Sequence, residues 1–572
     1  MTPSRIAALL IACMAVIYVA VILSSPRHTF WTIDGGFKFI TAERLVTSSF
    51  QDVSIPYAGE TLDPDGDFFP MKPPMATRVG GRFLPDVSLV FPILSALSYR
   101  LLSWPGLYLL PVLATLATLW LTFRMAKPFL ESWAALAIPV LGLATPLFFY
   151  AVTFWEHSLA VFFTTAALCL LSREEVLETR GAPWAAGFAL GAAIWFREEC
   201  YLFAVAAFLG LLLVRVRIRT VLSSVAGSAL AVLPLWLLQW QVLGKPFGKR
   251  VQGATEYGLL PEESGQGISG YFLDRIETLY AWTLGLHQDV GISLLVAAPL
   301  LVGMGIFLIG RRPKRLIVAW VAAAVYAALC LIVLGGQSER VFSAYFGGGL
   351  FPTSPMVALL AAAALVAAPA PKSRQERFLG IVVLVFFFLA IAMSPVKYQR
   401  GVHWGPRYLL PAYPAVAVLG MVGIRRAAPH FGRRRMALVV RAAVLALSLL
   451  ISVHSITALS LKKRGTARTL RFFQEEVSDP VITNVWWFPL EVAAAYRERA
   501  IYGVTDTAHF HRLLDRFRKH DIERFTIVAT PMDDRILRDP VIRVERVQPL
   551  VHPGMGYFDL LFCSCTLPAD TD

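Results

Sequence analysis

Four short stretches of the sequence carry side chains suited to moving a proton or holding an anion. The first is Phe30-Trp31-Thr32-Ile33-Asp34-Gly35-Gly36-Phe37-Lys38, just beyond a long apolar run. A carboxylate such as Asp34, close to a membrane face, can take a proton from a hydroxyl nucleophile. The same Asp, ahead of the amphipathic residues 36–49, also suits a helix N-cap. The second stretch is Tyr150–Ser158, which sets Glu156 and His157 between two apolar runs. Ionisable groups at that depth are costly and usually serve a purpose. The plainer alternative is an interfacial pair beside an aromatic belt.

The third stretch, Trp195-Phe196-Arg197-Glu198-Glu199-Cys200, interrupts an apolar region running from 184 to 214. Three consecutive charges cannot sit in lipid, so a turn between two helices is expected. Arg197 can hold an anion there, or form an internal pair with a glutamate. The fourth stretch runs from Lys397 to Pro411 and holds Arg400, His403, Arg407 and Tyr408. A planar guanidinium suits phosphate because it donates two parallel hydrogen bonds. Anionic lipid headgroups are the other ligand such a cluster would meet. Lys72, stiffened by Pro73 and Pro74, adds a further cation. Asp63, Asp65 and Asp67 resemble part of a calcium loop but lack its twelve-residue spacing and closing Glu. No Walker pattern, Gly-rich nucleotide loop or Cys/His zinc spacing occurs, so no nucleotide or metal site is expected.

Positioning such residues requires a membrane scaffold. Of 572 residues, 56% are hydrophobic and 16% charged, against about 45–50% and about 25% in soluble proteins. The net charge of +14 comes from basic bursts between apolar runs, the pattern of a polytopic membrane protein. A nucleic-acid binder would spread such charge over a wettable face, so no nucleic-acid partner is expected. Six cysteines are too few for a disulfide scaffold. Cys563 and Cys565 are too close in sequence for an unstrained bridge.

Thirteen apolar runs are long enough, or nearly so, to cross the bilayer. They lie near 6–24, 105–123, 133–151, 157–171, 184–198, 199–214, 220–242, 291–310, 316–335, 350–369, 378–395, 407–424 and 436–458. With the N-terminus in the cytoplasm, the cytoplasmic loops collect twenty basic and five acidic residues, as the positive-inside rule demands. A further run, 86–103, would invert every later loop if it crossed. It is therefore expected to lie at the membrane surface or packed on the bundle. The fold expected is an all-α polytopic bundle, residues 1–458, with outer loops 25–104 and 243–290. A small extra-cytoplasmic α/β domain, 459–572, follows. In it Val481–Trp487 and Phe525–Thr530 read as strands, and residues 507–520 as an amphipathic helix.

At these residues the chain resembles the GT-C superfamily of polytopic glycosyltransferases. That group includes protein O-mannosyltransferases, the lipid A aminoarabinose transferase and family-39-like bacterial enzymes. The likeness rests on Asp34 opening the first outer loop, Glu156 between helices three and four, and the Arg197-Glu198 turn between helices five and six. The Gly405–Pro414 string GPRYLLPAYP adds to it. The resemblance implies a multi-pass protein of the cytoplasmic (inner) membrane that uses a sugar on a polyprenyl phosphate. It implies transfer to a glycan, lipid or protein hydroxyl at the outer face, with inversion. Asp34 would be the base, with Glu156 and His157 as further catalytic candidates. Lys72, Arg197, Arg400, His403, Arg407 and Tyr408 would bind the donor phosphate. The Asp-x-Glu of metal-dependent oligosaccharyltransferases is replaced by Glu156-His157, so no cofactor is expected and a divalent cation is not favoured. A polysaccharide polymerase or ligase, or a lipid-linked sugar transporter, is the alternative.

Overall fold

The structure, a computed structural model, describes residues 2–71, 75–86, 88–173, 179, 181–244, 268–285, 290–310, 313–336, 348–367, 373–393, 403–427, 434–552 and 558–568. It is mainly helical, and the described residues fall into two compact units. One comprises the residues up to Ile22 and most of those from Tyr108 to Thr457. The other comprises Leu23–Leu107 and the residues from Ala458 onward.

The first unit is the helix bundle. Among the described residues of the whole chain, six helical segments are long and apolar enough to cross a membrane. They are Pro3–Ser24, Trp104–Leu143, Ile218–Gln241, Arg374–Met393, Arg407–Arg426 and Arg441–Glu475. The chain is a membrane protein on this ground. Three other expected runs form shorter helices, His157–Leu171, Ala182–Phe196 and Cys200–Leu213. At 1.5 Å per residue each spans only about 21–23 Å. The expected run 133–151 is broken as well. Its helix Ala137–Leu143 stops ahead of Pro146, and Leu147–Ala151 restarts beyond it, because a residue preceding proline is pushed out of helical geometry.

Small residues let the bundle helices approach closely, as membrane helices must in the absence of a hydrophobic drive. Gly187 and Gly191 face Ser224 and Ser228 of Ile218–Leu243. A Cβ on Gly187 would overlap the Ser224 carbonyl oxygen. The same device recurs where Gly420 and Gly423 of Tyr413–Ala427 meet Leu360 and Ala363 of Pro355–Ala367.

The second unit is built on a five-stranded sheet of order β4-β3-β5-β7-β6. Its strands are β3 Val481–Thr483, β4 Ile501–Gly503, β5 Arg524–Ala529, β6 Arg543–Leu550 and β7 Leu560–Thr566. A separate hairpin in the first outer segment pairs β1 Ala76–Val79 with β2 Arg82–Pro85. Strands β3, β4 and β5 run parallel, and β7 pairs antiparallel with both β5 and β6. The expected strands are present as β3 and β5, although β3 ends at Thr483, short of Trp487. The amphipathic helix spans Thr507–Lys519, capped by Asp506, whose side chain accepts from the His509 N–H. Its Phe510, Leu513, Leu514 and Phe517 enter the core. Cys563 and Cys565 are free thiols in that core, and burial pushes them up to about 11 and about 12.

The first outer segment, grouped in sequence with the membrane helices, packs instead with the C-terminal residues. Leu62 and Phe68 share the core of Phe510 and Ile527. The buried Asp63 carboxylate accepts from Arg516 Nη1 at 2.7 Å, from Tyr57 Oη at 2.8 Å, and from the Asp67 and Phe68 N–H groups at 3.0 and 2.8 Å. This acidic run is thus a clamp between the first outer segment and the C-terminal helix. Residues 86–103 yield the 13-residue helix Val90–Leu102. It packs through Ala96 on Ala42 and Leu45 of the helix Ile33–Thr47, also within this unit.

Candidate active site

The bundle brings together residues far apart in sequence. Arg197 leaves helical geometry at the end of Ala182–Phe196, and Glu199 caps the start of Cys200–Leu213. The expected charged turn is therefore present. Within it Arg197 Nε donates to Glu199 Oε1 at 2.9 Å, and Arg197 Nη1 donates to Glu156 Oε1 at 3.2 Å. Glu156 stands immediately before the helix His157–Leu171. All three side chains are about nine-tenths buried or more. In such surroundings a charge persists only with its hydrogen bonds made. Arg197 Nη2 is buried with no hydrogen-bond partner among the described residues.

Arg407 is the second cation. Gly405, at φ +67°, and Pro406 turn the chain into the short 3-10 helix Arg407–Ala412. A Cβ on Gly405 would crowd Pro146 and Thr353, so the turn needs glycine both for its left-handed backbone and for space. The Arg407 guanidinium carbon lies 5.3 Å from the Trp155 ring centroid and 5.1 Å from that of Tyr408. The Arg197 guanidinium carbon lies 5.7 Å from the same Tyr408 ring. Arg407 Nη2 also donates to the Tyr408 hydroxyl at 3.3 Å. Trp282 lies tilted beside Tyr408, 5.5 Å between ring centroids. His157 is walled by Tyr150 and Trp155, at 4.9 and 4.8 Å between ring centroids, and its Nδ1 is 4.0 Å from Glu199 Oε1. The arrangement is a buried, aromatic-walled pair of guanidinium groups, one held by two carboxylates. Its chemical competence is to neutralise an anion, and planar guanidinium groups favour one that accepts several hydrogen bonds.

Of the expected residues, the bundle gathers Glu156, His157, Arg197, Arg407 and Tyr408. His403 is buried beside Trp404, ahead of the same 3-10 helix. Arg400 and Lys72 lie outside the described residues. The acids that hold Arg197 are Glu199 and Glu156, where the sequence left the partner glutamate open. The two-residue spacing across the turn returns Glu199, at the start of the next helix, to the guanidinium.

Asp34 belongs to the second unit. Thr32 caps the helix Ile33–Thr47, its hydroxyl oxygen accepting from the Gly35 N–H at 3.2 Å. The capping task thus falls to Thr32, and Asp34 sits half-buried in the first helical turn. There its carboxylate is favoured by the helix dipole. Gly36 is required beside it, because a Cβ there would overlap the Leu490 carbonyl oxygen of the short helix Phe488–Glu491. Further along the helix, burial pushes the Glu43 carboxyl up to about 6, with Arg497 opposing and Glu498 adding to the rise.

Sequence reasoning missed a second buried cation site in this unit. Lys462 pairs with Glu491 and Thr466 and lies 4.2 Å from the Phe558 ring centroid, while Lys463 lies 5.7 Å from that of Trp104. Lys462-Lys463-Arg464 reads in sequence as a solvated charge run. The only signal was its position directly after an apolar helix that continues without a break to Glu475. Among the described residues no cluster of three metal-ligating side chains occurs.

No protein-family model and no curated protein sequence matches the chain. Solved structures do. ArnT from Cupriavidus metallidurans, determined bound to undecaprenyl phosphate, matches with a TM-score of 0.53 at 13% identity, over 97% of both chains. The oligosaccharyltransferase of Archaeoglobus fulgidus, in its apo form, matches with a TM-score of 0.50 at 12% identity, over 92% of this chain and 69% of its own. At these identities the likeness is one of fold: the present chain shares the fold of these two solved structures.

Proposed function

We propose that this protein is a membrane glycosyltransferase. It takes a sugar from a polyprenyl-phosphate carrier and passes it to an acceptor hydroxyl at the outer face of the cytoplasmic membrane. One observation carries the reading. Arg197 keeps a buried donor, Nη2, without a hydrogen-bond partner among the described residues, while Arg407 shares its aromatic neighbour. Such a donor is expected to be satisfied in the working state, and a phosphate oxygen is its natural partner. The solved structure of the same fold that holds undecaprenyl phosphate supports a lipid-borne phosphate.

In this reading Asp34 takes the acceptor proton as the hydroxyl oxygen attacks the anomeric carbon. The bond from that carbon to the phosphate oxygen breaks on the opposite side, so the configuration inverts. The electron pair leaves with the polyprenyl phosphate. Its developing charge is met by the guanidinium groups of Arg197 and Arg407, preorganised before the reaction begins. Glu156 and Glu199 are positioning residues that fix Arg197, and Tyr408 holds the two cations in register. No cofactor is invoked.

The test is glycan analysis of the cell envelope in a deletion strain complemented by wild type or by Asp34→Asn. Loss of one sugar, restored by wild type and not by a stably inserted Asp34→Asn, is the expected result. Full restoration by Asp34→Asn would overturn the assignment, and an unchanged envelope in the deletion strain would favour transport.

A further inference from the structure

The C-terminal sheet carries a concave site lined by residues 484–487, 530–533 and 559. Counting only its parallel strands, β3 is first, β4 second and β5 third, and they lie in the order second-first-third. The connection from β3 goes one way and the return to β5 goes the other. Between β3 and β5 the sheet therefore has a topological switch point, and α/β sheets bind ligands in the crevice beyond the carboxyl ends of such a pair. A cavity of about 390 Å3 lies there, within the range of about 300–1,000 Å3 typical of small-ligand sites. One wall is the segment after β3, Asn484–Trp487, and the other the segment after β5, Thr530–Asp533. Asp559, just before β7, closes the end.

The lining specifies the ligand class. Trp486 is 56% exposed, an unusual state for an indole in a folded domain, and Met532 forms the opposite lip at 87%. Trp487 beneath is buried against Phe558, 5.3 Å between ring centroids. Asn484 Nδ2 donates to the Asp533 carbonyl at 3.2 Å, while Asn484 Oδ1 is buried with no partner among the described residues. The turn after β5 is held by the Asp533 N–H donating to Thr530 Oγ1 at 3.2 Å. Asp533 is gripped by Arg535 at 2.8 and 3.0 Å, and Asp559 accepts from the His552 N–H at 2.6 Å. The crevice is thus preformed. Its two lining carboxylates, with no lining Lys or Arg among the described residues, oppose a phosphate. Tryptophans stand where a dinucleotide site needs glycines to let the backbone approach. What fits is a ring with one apolar face for an indole and hydroxyl or ammonium donors for carboxylate and amide oxygens.

We infer that this crevice is a saccharide-binding site, with Trp486 as the stacking platform and Asn484, Asp533 and Asp559 as acceptors for the donors of a neutral or amino sugar. The pocket would bind its sugar whether or not the residues around Arg197 transfer one. The test uses the full chain in lipid nanodiscs, applied to a glycan array of neutral, amino and acidic oligosaccharides. Retention on neutral or amino sugars is expected, with acidic sugars unbound. Trp486→Ala should weaken retention at least tenfold, Asn484→Ala should also weaken it, and Trp486→Phe should keep most of it. Trp486 is largely exposed, so Trp486→Ala should melt at the wild-type temperature. No retained saccharide, or retention unchanged in Trp486→Ala, would overturn the inference. So would a bilayer anchor in place of a sugar site. That outcome shows as emission quenched by brominated acyl chains in wild type but reduced in Trp486→Phe.

Discussion

Arg197 and Arg407, 210 positions apart in the sequence, share one aromatic ring: their guanidinium carbons lie 5.7 and 5.1 Å from the centroid of Tyr408. Arg197 has two glutamates within hydrogen-bonding distance, Glu156 and Glu199. These two contacts to Arg197 lead to the first prediction.

Arg197→Met leaves two buried carboxylates without their cation, and breaking a buried pair costs about 3–5 kcal/mol. A marked fall in the melting temperature of the purified protein is expected, with loss of transfer. Adding Glu156→Gln and Glu199→Gln should recover much of the stability and none of the transfer. Of the two neighbouring acids, Glu199→Gln should impair transfer more than Glu198→Gln. Equal effects would remove the special place given to Glu199.

Gly36→Ala tests the seating of Asp34. The new methyl group must displace the Leu490 backbone, and overpacking of this kind costs about 1–3 kcal/mol. Transfer should fall more steeply than stability, because the first helical turn that carries Asp34 moves with it. Paired melting and turnover measurements check this. Unchanged turnover would show that Asp34 is not held by this contact.

Glu43 makes part of the stability pH-dependent. Burial raises its carboxyl from the usual 4.5 to about 6, so the folded state holds the proton more tightly than the unfolded chain. The contribution is fully present below about pH 4.5 and is lost as pH rises through about 6. Glu43→Gln should therefore melt above wild type at pH 7, and the two curves should converge near pH 4. Parallel curves across that range would contradict the buried, proton-holding state.

The Lys462–Glu491 pair should behave as a unit. Lys462→Met alone strands Glu491 in the core and should cost about 3–5 kcal/mol. The double variant with Glu491→Leu should recover most of that loss. A double-mutant cycle on melting free energies reads the coupling, and additive losses would show that the two side chains do not depend on each other.

Much of this molecule was legible without coordinates. Apolar runs and the placement of basic loops define a multi-pass bundle, because lipid tolerates neither open backbone nor stray charge. The charged break at Arg197 had to be a turn, and the amphipathic stretch 507–520 had to form a helix. The role of Thr32 was harder to read. Both Thr32 and Asp34 can cap a helix, and only the backbone path through Ile33 decides between them.

The remainder depends on distance in space, which a sequence does not encode directly. Residue types and hydropathy determined that this chain spans membranes, which runs are helical, and which few charges are out of place among them. Tertiary structure alone decided that Arg197 meets Glu156 and Glu199, that the first outer segment packs with the C-terminal sheet, and that Trp486 and Met532 flank one crevice. The physical reason is that burial of a charge or a ring is settled by what long-range packing brings against it. Local propensity fixes the element, and only the packed fold supplies the partner.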